Sequence, residues 1–184
     1  MVDEDATPVA FLGITETWWR CYMTEAQVQI PGYNLARCDR QGRIGGGCAL
    51  YIHDSMAISD QMEYSDRDNN LVAVYIGSKH TVAAVIYRAG SDPDGFQEMM
   101  RRLQVFVDFH SQETTVPDVW LAGDFNLPLF KWEGGIPEII DQPLYNVHGS
   151  LWTPTFLPSW FQHPPGAQMF LICCSPTGQT MSWL

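Results

Sequence analysis

The feature that most limits the fold of this chain is a pair of segments rich in Val, Ile and Tyr, at residues 71–76 and 81–87. β-Branched and aromatic side chains suit the pleated surface of a sheet, so both segments predict strands. The short connection that includes Gly77-Ser78-Lys79 predicts an antiparallel hairpin. A β-sheet is therefore expected at the centre of the fold.

A helix and a further strand are predicted after this hairpin. Ser91 or Asp92 is expected to cap the helix, and Pro93 suits its first turn. Apolar residues then recur at helical spacing: Phe96, Met99, Met100, Leu103, Phe106 and Val107. The apolar run at residues 118–123 predicts another buried strand. Strands, a helix and a strand in this order predict a layered α/β domain.

Three apolar runs nearer the start complete the predicted sheet structure. Residues 9–14 predict a strand buried on both faces, because the run is continuous and stops at polar residues. A weaker strand is expected to begin at residues 32–35. A flexible glycine-rich loop at residues 40–47 leads into a further strand at residues 48–52.

The composition changes after Trp132. Residues 134–184 hold seven of the twelve prolines, no lysine or arginine, and only Glu138 and Asp141 as formal charges. An average domain segment of that length carries roughly a dozen charges. The sequence therefore predicts a partial domain over residues 1–133, followed by a Pro-rich, charge-poor tail over residues 134–184.

The net charge of −11 means that the molecule as a whole repels nucleic acid unless a local basic surface or bound cations reverse the field. Arg37, Arg40 and Arg43 form the densest basic cluster and are candidates for contacts with DNA phosphates. A solvated loop is the alternative interpretation of this cluster. Its glycines precede a strand and no Gly-Lys-Ser/Thr follows, which argues against a nucleotide-binding loop.

The cysteines and the first residues of the chain indicate the cellular compartment in which the protein is expected. The five cysteines include no Cys-x-x-Cys pair and no histidine lies at zinc-ligand spacing, so a zinc site is not expected. An odd number of cysteines and an acidic start without signal-peptide character predict an intracellular protein, nuclear or cytoplasmic and not secreted. The longest later apolar stretch, residues 169–174, is too short to span a bilayer.

Polar side chains follow three of the predicted strands: Glu16 after the first, Tyr87 and Arg88 at the end of the hairpin, and Asp124 and Asn126 after the last. Strand ends that share one edge of a sheet would bring these groups together. Carboxylates could bind Mg²⁺ or order a water, and amide or hydroxyl groups could hold a phosphate oxygen. The alternative is that they are solvated turn residues, with Tyr87 in the core.

These residues lie within motifs that resemble the endonuclease/exonuclease/phosphatase family, in particular its members from non-LTR (LINE-type) retrotransposons. The resemblance covers roughly residues 9–133. The motifs are Gly13-Ile-Thr-Glu-Thr-Trp18, Pro31-Gly-Tyr, Arg37-x-Asp-Arg-x-Gly-Arg-x-Gly-Gly-Gly47, Tyr87-Arg and Gly123-Asp-Phe-Asn-Leu-Pro128.

The resemblance implies a four-layer α/β/β/α sandwich and a hydrolytic site that uses Mg²⁺, with Mn²⁺ as an alternative. By this resemblance, Glu16 corresponds to the metal ligand and Asp124 to the residue that orients or deprotonates the attacking water. Asn126 and Tyr87 correspond to the residues that hold the scissile phosphate. The expected partner is DNA, with Arg88 joining the three loop arginines as a candidate contact, and the expected reaction is DNA nicking.

Two departures from the family pattern predict a domain that is incomplete at both ends. Family members have an earlier strand and helix that carry an asparagine or aspartate at the metal, and they end in a Ser-Asp-His type motif. Here eight residues precede the Val9 strand, while His148 and His163 follow Val147 and Gln162. Two alternatives therefore stay open: a catalytically inert remnant that acts only through contacts, and a phosphomonoesterase with the same core motifs.

Overall fold

The computed structural model describes residues 9–89, 93–111, 115 and 117–126, together with the backbone of three strands at 130–133, 136–139 and 169–173. A single 3₁₀ turn, Gly77–Lys79, occurs among the described residues. The strands and helices follow in the order β1 (Phe11–Thr15), α1 (Glu25–Val28), β2 (Tyr33–Cys38), β3 (Cys48–His53), β4 (Asp60–Ser65), β5 (Asn69–Ile76), β6 (Thr81–Arg88), α2 (Pro93–His110), β7 (Asp118–Asp124), β8 (Phe130–Glu133), β9 (Ile136–Ile139) and β10 (Met169–Cys173).

Two sheets account for eight of these strands. The first is antiparallel and has the order β1-β3-β2, and the second has the order β10-β7-β6-β5-β4. In the second sheet β4, β5 and β6 are antiparallel neighbours, whereas β7 runs parallel to both β6 and β10. Strands β8 and β9 form a separate antiparallel pair.

Alternating side chains of the second sheet build two cores. On β6, Ala84 and Ile86 pack against α2, whereas Ala83 and Val85 pack against the first sheet. The sheets approach closely where Gly13 faces Val85, because a Cβ atom on Gly13 would lie 2.8 Å from Val85 Cγ2. This alternation decides which residues at the strand ends face the other sheet.

A further layer lies on the outer face of the first sheet. The Tyr51 hydroxyl on β3 donates a hydrogen bond to the Val28 carbonyl oxygen at the end of α1. Leu50 and Ile52, the neighbours of Tyr51 along the strand, belong to the core between the sheets, so Tyr51 points the other way. The order is therefore α2, sheet, sheet and α1 with its flanking loop, which confirms the expected α/β sandwich.

Most of the local predictions are confirmed. The two Val-rich segments form β5 and β6, residues 118–123 lie in β7, and the six residues of the apolar stripe on α2 are all buried. The proposed helix caps Ser91 and Asp92 lie outside the described residues. Strand β4 and helix α1 were not predicted, because β4 has only a weak apolar alternation and α1 spans only four residues.

The prediction that the first strand is buried on both faces is wrong. Leu12 is 39% exposed, and β1 lies at an edge of its sheet in the described structure. A continuous apolar run does not distinguish an edge strand from a central one, because the number of neighbours is a tertiary property. The helices in the described part of the chain are all too short or too polar to cross a membrane.

The predicted boundary after residue 133 stays a prediction. Most of the proposed tail lies outside the described residues, but one of its segments, β10, pairs in parallel with β7. The sheet that carries β6 and β7 therefore continues across the proposed boundary. The charge-poor composition of the tail is compatible with this placement, since strands of parallel sheets are usually apolar on both faces.

Asp66 holds the turn between β4 and β5, and its replacement by alanine is expected to destabilise the fold by about 2 kcal/mol. Its carboxylate accepts hydrogen bonds from the backbone N–H groups of Asp68 and Asn69 and from the Tyr64 hydroxyl. Urea unfolding at neutral pH measures the loss. Asp54→Ala, at an exposed position, is the control and should cost much less.

The stabilising effect of Asp66 should also depend on pH. Burial acts to raise the pKa of Asp66, but the hydrogen bonds from Asn69, Asp68 and Tyr64 outweigh it and hold the pKa below its ordinary value. A carboxylate with a lowered folded-state pKa stabilises the fold above its unfolded-state pKa and loses that effect as pH falls through the folded-state pKa. The difference between wild type and Asp66→Ala should therefore shrink in acid. A difference that does not change with pH would contradict this role.

Candidate active site

Three polar side chains lie together at the ends of neighbouring strands in the second sheet. Tyr87 on β6 is the register partner of Asp124 on β7 and of Asn70 on β5. Tyr87 belongs to the core between the two sheets, and Asn70 and Asp124 share its face because directly paired residues point to the same side. The parallel β6–β7 pair thus places the ends of both strands at one edge, as the sequence predicted.

Glu16 reaches the same place from the other sheet. It follows β1, and its Oε2 atom accepts hydrogen bonds from the Gly46 N–H and from Trp18 Nε1, each at 2.7 Å. The Tyr87 side chain interacts with this carboxylate, and each shifts the pKa of the other, so the site links the two sheets. The backbone of Glu16 and Trp18 is left-handed, with φ of 54° and 57°, a strained conformation that is typical of functional sites.

Asn126 folds back on Asp124 and completes the group. Its backbone N–H donates to Asp124 Oδ1 at 3.0 Å, and its side-chain Nδ2 donates to Asp124 Oδ2 at 3.3 Å and to the Arg88 carbonyl oxygen. Asn126 is also left-handed, with φ of 44°. The structure therefore brings together all four residues expected to carry the chemistry, Glu16, Tyr87, Asp124 and Asn126.

Burial and the two carboxylates set the protonation of the site. Burial raises the pKa of Asp124, and the charge of Glu16 adds to the increase against opposing hydrogen bonds from Asn126. Burial together with the hydrogen bond to Glu16 raises the pKa of Tyr87 to about 12. Burial acts to raise the pKa of Glu16 as well, but hydrogen bonds led by that from Tyr87 hold it below the ordinary value. Glu16 is thus an anion and Tyr87 a hydrogen-bond donor at neutral pH.

The glycine-rich loop approaches these side chains closely at Gly46, which has no side chain of its own. A Cβ atom on Gly46, whose φ is 75°, would lie 2.7 Å from Arg40 Cδ and 3.0 Å from Tyr87 Cε1. The Gly46 N–H can therefore reach Glu16 while Arg40 packs alongside. The sequence predicted a flexible loop here, whereas the structure shows a loop held by the site residues themselves.

The loop arginines are largely engaged within the protein. Arg37 pairs with Asp39, and Arg40 pairs with Asp68 and donates to the Arg67 carbonyl oxygen. The interpretation of the cluster as a solvated loop is wrong for Arg40, which is only 9% exposed. Arg43 also pairs with Asp68, but its side chain is 50% exposed. Among the three, Arg43 is best placed to meet a ligand, and DNA contact stays a prediction for all of them.

Arg88 stabilises the site through contacts with the turn that follows β7. It is 7% exposed, its guanidinium donates to the carbonyl oxygens of Phe125 and Asn126, and it lies 5.3 Å from the centroid of the Phe96 ring. These contacts fix the turn that follows β7. A contact of Arg88 with DNA also stays a prediction.

Asn70 is a site residue that the sequence interpretation missed. It is fully buried, its Oδ1 accepts the Gly47 N–H at 3.2 Å, and its Nδ2 donates to Ser65 Oγ at 2.9 Å. An asparagine before an apolar run is usually a turn residue, so its sequence position gave no clear signal. Only the pairing of β5 with β6 shows that it lies beside Tyr87.

Replacing Asn70 by alanine is expected to destabilise the protein by about 2 to 3 kcal/mol, because the buried N–H of Gly47 would lose its acceptor. Urea unfolding monitored by circular dichroism measures the change. Asn34→Ala is the matched control, since Asn34 lies on β2 with its side chain exposed, and it is expected to change stability by less than about 0.5 kcal/mol. Equal effects of the two substitutions would contradict the structural role of Asn70.

The donor set at the site fits a magnesium ion held mainly by substrate and water. Among the residues that the structure describes, no group of three His, Cys, Asp or Glu side chains could hold a metal. Mg²⁺ is often held by one or two carboxylates, with water and phosphate as its other ligands. Glu16 supplies one such carboxylate, and the two acidic groups Glu16 and Asp124 side by side favour a cation.

A model of the endonuclease/exonuclease/phosphatase family matches residues 3–171, which is most of the chain. The chain belongs to the endonuclease/exonuclease/phosphatase family. No curated protein gives a significant match. Membership in the endonuclease/exonuclease/phosphatase family assigns the chemistry to the hydrolysis of phosphoesters, and it confirms the resemblance inferred from the motifs. The family match spans the proposed boundary at residue 133, while the retrotransposon origin and the missing ends stay predictions.

Proposed function

We propose that the chain is a Mg²⁺-dependent endonuclease domain of the non-LTR retrotransposon type, which hydrolyses a DNA phosphodiester and nicks the duplex. The observation that carries this proposal is the contact between Glu16 and Tyr87 across the two sheets, beside Asp124. It supports the proposal because a carboxylate suited to Mg²⁺, a hydroxyl suited to a phosphate oxygen and a candidate base lie together. Mn²⁺ is the alternative metal.

Each side chain has a role that follows from its environment. Asp124, whose pKa is raised by burial, is a stronger base than an ordinary carboxylate, so it accepts a proton from the attacking water. Tyr87, with a pKa of about 12, stays protonated and donates to a phosphate oxygen. The Asn126 side chain holds Asp124, and its amide group is suited to bind a phosphate oxygen. Mg²⁺ bound at Glu16 would offset the charge that develops on the phosphate.

The exposed surface around Glu16 supports a polymeric substrate over a small phosphomonoester. Trp18 is 59% exposed while its indole N–H is fixed to Glu16, and Ile44 in the adjoining loop is 74% exposed. Arg20 Nη1 donates to the Arg43 carbonyl oxygen, which places the Arg20 side chain beside the backbone of Arg43 in the loop. Aromatic rings beside arginines suit contact with bases and phosphates.

A catalytically inert, interaction-only protein is the second candidate, and the net charge of −11 favours it. An anionic molecule repels DNA at long range, and its acidic residues outnumber basic ones by 21 to 10. Binding of DNA would then depend on Arg20 and Arg43 beside the site and on cations in solution. This candidate predicts a folded protein without hydrolytic activity.

The deciding experiment is conversion of supercoiled plasmid to nicked circle, with Mg²⁺, Mn²⁺ or EDTA, beside hydrolysis of p-nitrophenyl phosphate under the same conditions. We expect nicking that needs the metal, and Glu16→Gln should need a higher Mg²⁺ concentration to reach half of its maximal rate. Hydrolysis of p-nitrophenyl phosphate without nicking would indicate a phosphomonoesterase. A folded sample with neither activity would indicate the inert protein.

A further inference from the structure

Two cysteines face each other across the strands that flank the glycine-rich loop. Cys38 is the last residue of β2, Cys48 is the first residue of β3, and the two are direct register partners. Both belong to the core between the sheets, with exposures of 2% and 0%. The pair therefore lies at the base of the loop whose Gly46 N–H binds Glu16.

The backbone geometry of this pair suits a covalent bond. Directly opposed residues of antiparallel strands have Cα atoms roughly 4.5 to 5.5 Å apart, within the roughly 4.4 to 6.8 Å that disulfides span. The two side chains point to the same face, and each thiol influences the pKa of the other. Both cysteines are free in the structure. Closing the bond requires the two side chains to rotate toward each other.

The two thiols differ in their surroundings and in the direction of their pKa shifts. The hydrogen bond from Cys48 lowers the pKa of the Cys38 thiol, while burial raises the pKa of the Cys48 thiol. Cys38 Sγ also lies 3.1 Å from the Tyr64 carbonyl oxygen and 3.9 Å from Asn70 Nδ2. The thiolate is the reactive form of cysteine, and the Asn70 amide is placed to donate to Cys38 Sγ, so we give Cys38 the role of nucleophile and Cys48 that of resolving thiol.

We infer that Cys38 and Cys48 form a redox pair that closes to a disulfide when the protein meets a hydroperoxide. The Cys38 thiolate attacks the terminal oxygen of the hydroperoxide, the O–O bond breaks, and hydroxide (from H₂O₂) or an alkoxide (from an organic hydroperoxide) leaves to give a sulfenic acid. The Cys48 sulfur then attacks the Cys38 sulfur, and the sulfenic oxygen leaves as water with the thiol proton. One hydroperoxide is reduced by two electrons for each disulfide formed. A dithiol reductant reverses the reaction.

The disulfide would close a ring around residues 39–47, which border the candidate active site. Within this ring Gly46 binds Glu16, and the Gly47 N–H binds Asn70. The Gly46 carbonyl oxygen accepts the Trp18 N–H at 3.0 Å. Oxidation thus restrains the loop that positions the carboxylate of Glu16. This redox site goes beyond the proposed nuclease function and is tested without any assay of that function.

The test is a non-reducing peptide map of the full chain after treatment with H₂O₂ and alkylation of the remaining thiols. Trypsin cuts after Arg37, Arg40, Arg43 and Arg67, so the expected product joins residues 38–40 to residues 44–67. The titre of free thiols in the denatured protein should fall from the five cysteines present to three. Dithiothreitol should restore both measurements. Amide hydrogens of residues 44–47 should exchange more slowly in the oxidised protein.

Serine variants separate this pair from nonspecific oxidation. Cys48→Ser should give no joined peptide and should accumulate a Cys38 sulfenic acid that dimedone captures. Cys21→Ser, at the exposed cysteine, is the matched control and should form the 38–48 bond at the wild-type rate. Circular dichroism checks that each variant is folded. A disulfide that uses Cys21, or oxidation of Cys38 to the sulfinic acid without a joined peptide in the wild type, would overturn the inference.

Discussion

Asp124→Ala is expected to lower metal-dependent nicking by about 10³-fold while the protein stays folded, because the variant lacks the group that accepts a proton from the attacking water. Asp124 is partly buried at the end of β7, and its two carboxylate oxygens accept hydrogen bonds from Asn126 in the turn that follows. Its loss therefore frees a turn beside solvent and leaves the apolar core intact.

The measurement compares initial nicking rates of the two proteins with Mg²⁺, together with their thermal unfolding by circular dichroism. Asp118→Ala is the matched control, since Asp118 begins the same strand and is likewise partly buried, far from Tyr87 along the β6–β7 pair. We expect the control to nick at nearly the wild-type rate. Equal nicking by wild type and Asp124→Ala would show that the activity comes from another residue or from a contaminant.

Gly123→Ala is expected to destabilise the fold by about 4 kcal/mol or more, which is most of the stability of a marginally stable domain. A Cβ atom at this position would lie 1.9 Å from the Ile86 carbonyl oxygen and 2.8 Å from the Ile86 backbone carbon and nitrogen. The neighbour is backbone of the paired strand, so it cannot rotate away. The φ of 140° adds strain for any residue with a Cβ atom.

Gly32→Ala separates the two causes of this destabilisation, the steric clash and the positive φ. Gly32 also has a positive φ, 83°, but a Cβ atom there would meet nothing within 4 Å. We expect a cost of about 1 kcal/mol for the backbone conformation alone. Urea unfolding of both variants gives the comparison, or the soluble yield where Gly123→Ala does not fold. Similar stabilities for the two would contradict the close approach of β6 and β7 at the site.

The candidate site lies at ordinary strand ends, yet three of its residues have a strained backbone conformation. Glu16, Trp18 and Asn126 all have left-handed backbones although none is glycine. Such conformations persist only where surrounding contacts compensate for them, here the hydrogen bonds of Gly46 with Glu16 and of Asn126 with Asp124. The surroundings of the site thus fix the positions of its side chains before any ligand binds.

The sequence by itself determined the elements whose pattern is local. The β-branched runs predicted β5 and β6, and the helical spacing of apolar residues predicted α2, because both periods are properties of consecutive residues. The polar residues after the strands predicted the site, since the ends of parallel strands share an edge of the sheet. The motifs around Glu16 and Asp124 predicted the family, because each motif is a short run of consecutive residues.

The tertiary structure alone decided which residues meet across long stretches of chain. It showed that β1 lies at an edge of its sheet, that Arg40 is buried against Asp68, and that Asn70 lies beside Tyr87. It also paired Cys38 with Cys48. Register and sheet order depend on the packing of one face of a sheet against another, and that information is spread over the whole chain, so no local pattern contains it.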